Sequence, residues 1–145
     1  MYILRQGGIL MGLYDKLTGK ATIGADLKYV QDYIFEGEEV ITSYQFFRDS
    51  IVLTNLGIYQ VDVQGMTGKK VEVKFFPKKN IKSVSFETAG NFDLDVDIKI
   101  GVDGNTVMGS SGAYYSAPIS FKVPKKQADE AKEVVNLVKK YYLCV

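Results

Sequence analysis

The sequence predicts a mainly β fold completed by one long C-terminal α-helix. Two patterns carry that expectation. From residue 40 onward, apolar residues recur at every second position in stretches divided by turn residues, and from Pro124 the apolar spacing changes to three and four. A third observation sets the scale: 145 residues, 46% hydrophobic and 24% charged, suffice for one core without disulfide or metal, since a chain near this size removes roughly 68–70% of its unfolded surface from water. Seven short antiparallel strands and a helix point to a curved sheet or small barrel whose open end the helix closes.

The elements follow in order. Residues 1–11 read either as an N-terminal extension or as the product of a start placed too early, because Gln6-Gly7-Gly8 can be encoded by a purine-rich ribosome-binding sequence just ahead of Met11. Residues 12–145 read as a single domain, with no internal repeat and no dividing linker. Leu13 to Leu17 fits a short helical turn. A second short helix fits Asp26 to Phe35, where Leu27, Val30 and Ile34 share a face, Asp26 stands as N-cap and Gly37 as the stop.

After Gly37 the period becomes two. Val40, Thr42, Tyr44 and Phe46 share one strand face, ending at the turn Arg48-Asp49-Ser50. Ile51–Asn55 and Ile58–Val63 read as a hairpin split by Leu56-Gly57. Gly65-Met66-Thr67-Gly68 makes the next turn, after which Val71, Val73 and Phe75 alternate with charged residues until Pro77. Ile81–Thr88 is a further strand, followed by the clearest alternation, Phe92 to Ile100, with Asp93, Asp95, Asp97 and Lys99 on its opposite face. Asp103-Gly104 is a tight-hairpin dipeptide. Residues 105–117 read as a long Gly/Ser/Ala-rich loop before the last strand at Ile119, Phe121 and Val123. Ala128, Ala131, Val134, Val135, Val138, Tyr141 and Tyr142 then stripe an amphipathic helix.

Composition narrows the chemistry. With no histidine, the chain has no imidazole base, no Ser-His-Asp or Cys-His relay and no His-containing zinc site. Its one cysteine, Cys144, excludes an intramolecular disulfide and a CxxC pair. No stretch reaches the roughly 20 apolar residues of a membrane span, and a signal peptide is not evident, so a cytoplasmic location is expected. A net charge of +1 supplies no general field for nucleic acid or anionic membrane. No enzyme activity, no cofactor and no nucleic-acid partner are expected.

The segments Val61-Asp-Val-Gln-Gly-Met-Thr-Gly-Lys-Lys70 and Glu87-Thr-Ala-Gly90, together with Ile51-Val-Leu-Thr-Asn55 and Phe92-Asp-Leu-Asp95, resemble the bacterial pleckstrin-homology-like family. The likeness runs from about Gly12 to the C-terminal helix. It implies a pleckstrin-homology-like barrel: two near-orthogonal antiparallel sheets, seven strands, a capping C-terminal helix and short N-terminal helices. It also implies a non-enzymatic domain that tends to self-associate, sometimes into rings. Leu56-Gly57 stands where the family commonly carries a basic pair.

Several constellations invite a site. Gly65-Met-Thr-Gly-Lys69-Lys70 partly matches a phosphate loop but has two residues between its glycines where four are needed, and a second Lys where Ser or Thr should hold magnesium. It reads first as a hairpin turn. Asp93, Asp95 and Asp97 lie about 7 Å apart along a strand, a solvated face with Lys74, Lys82 and Lys99 available as partners, and not a calcium loop. Glu87-Thr88 reads as turn chemistry. In the pleckstrin-homology order, Arg48, Lys69 and Lys70 sit at one open end as an anion or ligand contact, and the adjacent Tyr114 and Tyr115 read as an interface anchor. The expected function is a non-catalytic interaction module that homo-oligomerises and binds protein or peptide. The alternative is a peripheral membrane domain that binds anionic lipid headgroups through those open-end loops.

Overall fold

A computed structural model describes residues 27–65, 70–88 and 95–145. The chain divides into two compact units that meet in sequence between Phe75 and Phe76. Among the described residues there are nine strands.

In the first unit, β1 (Val40–Phe46), β2 (Asp49–Thr54), β3 (Gly57–Gln64) and β4 (Lys70–Pro77), whose last two residues lie past the boundary, form one sheet in sequential order. β1 pairs antiparallel with β2, Phe46 opposite Asp49, and β2 with β3, Leu53 opposite Ile58. The two-residue turn Phe47-Arg48 closes the first hairpin, one position earlier than the sequence indicates, and Phe47 takes a positive φ of 56° there. The alternation in β1 does what its period requires: Val40, Thr42, Tyr44 and Phe46 are all buried, and the Tyr44 and Phe46 rings stack 5.6 Å apart. Ile51-Val52-Leu53 is continuous rather than alternating because β2 lies between two neighbours and is buried on both faces. Of the expected second helix, Asp26 lies outside the described residues, Leu27 is helical, residues 28–30 form a turn and Gln31–Tyr33 is a 3₁₀ segment. Its stripe is still the buried one: Leu27, Val30 and Ile34 pack with Val40, Val52, Tyr59 and Val61. The expected turn at 13–17 lies outside the described residues.

In the second unit, β5 (Ile81–Glu87), β6 (Val96–Val102) and β9 (Ile119–Val123) form an antiparallel sheet in the order β5-β6-β9. Ile98, Ile100, Ile119, Phe121 and Val123 are buried along it. Gly104 accepts the positive φ of 96° that the turn after β6 demands. Helix α1 (Ala128–Val138) packs on β5 and β6 and continues as a π turn, Lys139–Leu143, against β5. Ala131, Val134, Val138 and Tyr142, spaced at three or four residues, are its buried side.

The stretch 105–117 departs from the expected loop. It folds as a ribbon of β7 (Thr106–Met108) and β8 (Tyr114–Ser116), paired Thr106 to Ser116. The glycines that suggested a loop sit in the tip, where the Gly109 N–H donates to the Ala113 carbonyl at 2.8 Å. Alternation was unreadable there because both faces of a two-stranded ribbon meet water. This ribbon raises the strand count from the expected seven to nine.

Candidate functional site

A cavity of about 680 Å³ opens in the first unit, lined by Tyr29, Tyr33, Phe35, Glu38, Leu56, Tyr59, Val71, Val73 and Phe75. Three local decisions build it. Tyr33, the last residue of the 3₁₀ segment, and Phe35 flank Ile34 and fall off the buried stripe, which leaves them 71% and 58% exposed. The β2–β3 turn contributes Leu56. On β4, Val71, Val73 and Phe75 face one way at period two, and that face forms the wall of an open groove in place of the core the pattern predicts, with Phe76 the buried residue of the strand. Tyr59 and Phe75 meet as a tilted pair 4.7 Å apart.

Glu38 is the polar group of this apolar surround. It is 2% exposed, and its carboxylate accepts from Thr54 Oγ1 at 2.9 Å and from Tyr59 Oη at 3.0 Å. Burial first, then the charge of Glu38 and its hydrogen bond, hold the Tyr59 phenol above its ordinary value, so the hydroxyl keeps its proton and remains a donor. The backbone on either side is fixed to the same hairpin. Asn55 Nδ2 donates to the Gly37 carbonyl at 3.1 Å, Asn55 Oδ1 accepts from the Glu39 N–H, and the Asn55 N–H donates to the Glu39 carbonyl. Among the described residues no lysine or arginine is recorded in an ion pair with Glu38. Among the described residues the donors to this carboxylate are the hydroxyls of Thr54 and Tyr59, the latter shared between both oxygens.

The profile of the bacterial PH domain family matches residues 12–135. The chain belongs to the bacterial PH domain family. It is 41% identical to the uncharacterised protein YjqA of Bacillus subtilis over 97 residues, covering 65% of this chain and 78% of YjqA. Among solved structures it is similar to a pleckstrin homology domain from Shewanella amazonensis, with a TM-score of 0.64 at 25% identity over 86% of this chain and 90% of that one. A second pleckstrin-homology protein, from Shewanella loihica, aligns with a TM-score of 0.58 at 25% identity over 80% of this chain and 92% of its own. The mainly β architecture with a C-terminal helix is therefore that of a PH domain, a family of generally non-catalytic interaction modules.

In this bacterial PH domain the sequence-derived site residues are placed as follows. Arg48 stands exposed at the β1–β2 turn and its guanidinium donates to the Gly65 carbonyl just past β3, so this turn and the end of β3 are neighbours. Lys70 begins β4 and is exposed, whereas Lys69 lies outside the described residues. Tyr114 and Tyr115 are 68% and 54% exposed on β8, beside an equally exposed Met108, and the Tyr115 ring lies over Gly109. Asp97 pairs with Lys122 of β9, its register partner, at 2.9 Å, and Lys82 reaches Asp103 at 3.8 Å. Asp93 lies outside the described residues. Among the described residues no group of three His, Cys, Asp or Glu side chains is placed to hold a metal, and no helix is long and apolar enough to cross a membrane.

Proposed function

We propose that this PH domain is a non-catalytic interaction module that receives a protein or peptide segment in the groove between Tyr33, Tyr59 and Phe75 and associates with copies of itself. The observation that carries the reading is the groove: five aromatic rings, two of them more than half exposed, around a cavity of ligand size. Aromatic side chains that stay near water in a folded domain are typical anchors for a partner. Met108, Tyr114 and Tyr115 supply a second apolar surface on the ribbon, which supports self-association. The anionic-lipid reading has less support, because the Arg48 guanidinium is engaged by a backbone carbonyl.

Selection of a displayed random-peptide library on the immobilised chain tests the groove. Recovered peptides should shift the amide resonances of Tyr33, Phe35 and Phe75, and Phe75→Ala should weaken their binding about tenfold, as expected for an aromatic anchor that the partner covers. Peptides that bind but shift resonances elsewhere, or that bind the Phe75→Ala chain equally well, overturn the assignment.

A further inference from the structure

The groove has a charge at its base as well as apolar walls, and the two together select a kind of occupant. Glu38 is 2% exposed and lines the cavity. Its neighbours there are rings, whose faces carry the negative side of an aromatic quadrupole. A carboxylate among aromatic groove residues repels an acidic group and gives an apolar one nothing to pair with. It attracts a cation, which gains from both. The local rings already show this preference: Lys28 Nζ lies 4.8 Å from the centroid of Tyr29, one of the groove residues.

We infer that the groove receives a basic side chain, an arginine or lysine of a partner protein segment, with its stem against Tyr59, Phe75 and Val73 and its charged head directed at Glu38. This rests on the proposed function of the groove and adds the chemistry of its occupant. A partner segment fits better than a free amine because the groove also carries the apolar wall of Val71, Val73 and Phe75 on β4. A small ammonium ion would leave that wall uncovered. Within the fold, the Thr54 and Tyr59 hydroxyls hold the carboxylate in place, so little side-chain entropy is lost when a cation docks. Their hydrogen bonds also account for how a carboxylate stays buried at this position.

The test uses three capped five-residue peptides, leucine and valine on either side of a central arginine, norleucine or glutamate, titrated into the full chain by calorimetry with amide shifts as the map. The arginine peptide should bind about tenfold more tightly than the norleucine one and lose that advantage in Glu38→Gln, which keeps the shape of the side chain and removes its charge. The glutamate peptide should bind least. Equal binding of the arginine and norleucine peptides at the groove overturns the cation assignment and leaves the groove reading standing. Absence of groove shifts with all three overturns both. An arginine preference that survives in a folded Glu38→Gln chain also overturns the inference. If that substitution lowers the thermal midpoint, the three-peptide ranking on the unaltered chain decides alone.

Discussion

Asp49 and Asp62 face each other across β2 and β3 as register partners, two carboxyls on one ladder rung. Burial first, then the Asp62 charge and a hydrogen bond between the two side chains, push Asp49 up from 3.8 to about 6. Gln64 Nε2 donates to Asp62 Oδ2 at 2.9 Å, so one Asp62 oxygen already has a donor within its own strand. An acid whose pKa is higher in the folded chain keeps its proton there after the unfolded chain has released it. Between about pH 4 and pH 6 the folded state therefore binds more protons, and stability falls as pH rises through that window and stays lower above it. A shift of this size corresponds to roughly 3 kcal/mol if fully expressed. Asp49 is only half-buried, and solvent screening reduces this to about 1 kcal/mol. Asp49→Asn removes the titration and can still donate to Asp62. The variant should match the parent chain near pH 4 and exceed it by about 1 kcal/mol near pH 8, roughly 3 °C in thermal midpoint. Urea unfolding at several pH values reads both numbers. A gain of the same size at both ends of the range, or none near pH 8, refutes the coupling.

Three further outcomes are expected. Val138 is fully buried on α1, so Val138→Ala should cost on the order of 1–3 kcal/mol and Val138→Asp more, read as a lowered thermal midpoint; an unchanged midpoint means that the helix is not docked as described. A Cβ on Gly101 would run into Ser83 Oγ, its register partner across β5 and β6, so Gly101→Ala should destabilise by about 1 kcal/mol, and Ser83→Ala in the same chain should recover it because only an ordinary contact at 3.5 Å remains. Tyr114→Ala with Tyr115→Ala should leave the midpoint within about 0.5 kcal/mol of the parent, as exposed positions do, while lowering the mass found by light scattering; an unchanged oligomer mass counts against the ribbon as the self-association surface.

Strand positions were legible wherever one face of a strand is buried, since a period of two is then imposed by the solvent itself. Val40 to Phe46 and Ile98 to Ile100 are such cases. The helix stripe from Ala131 to Tyr142 was legible for the same reason at its own period. The groove was not. Val71, Val73 and Phe75 carry the same alternation as a core strand, and nothing local distinguishes a face that packs from one that lines a cavity. Glu38 sits among Glu36 and Glu39 and reads as a solvated charge. Its burial is decided by Thr54 and Tyr59, 16 and 21 residues further on. The available signal was Tyr33 and Phe35, large rings that fall off the Leu27–Val30–Ile34 stripe with no core to enter. Arg48 and Lys70, expected with Lys69 as an anion contact, and Tyr114 and Tyr115, expected as an interface anchor, are exposed, which gives them a place and not a partner.

The ribbon between β6 and β9 changes how the second sheet closes. Ile100 and Ile119 pair across 18 intervening residues, a separation whose ends a flexible loop would hold together only at an entropic cost. Asn105 shortens that path. It is buried, its Nδ2 donates to the carbonyls of Ala117 and Pro118 at 3.1 and 3.3 Å, and its own carbonyl accepts the Ala117 N–H at 2.9 Å. With position 105 clasped to 117, β6 and β9 are joined as though by a tight turn, whatever lies beyond the clasp. The ribbon tip between Gly109 and Ala113 is thereby uncoupled from the sheet, and doubling the length of a loop costs only about 0.6 kcal/mol. Residues 110–112 are thus a natural port for an inserted tag or reporter, whereas the clasp at Asn105 has no spare length.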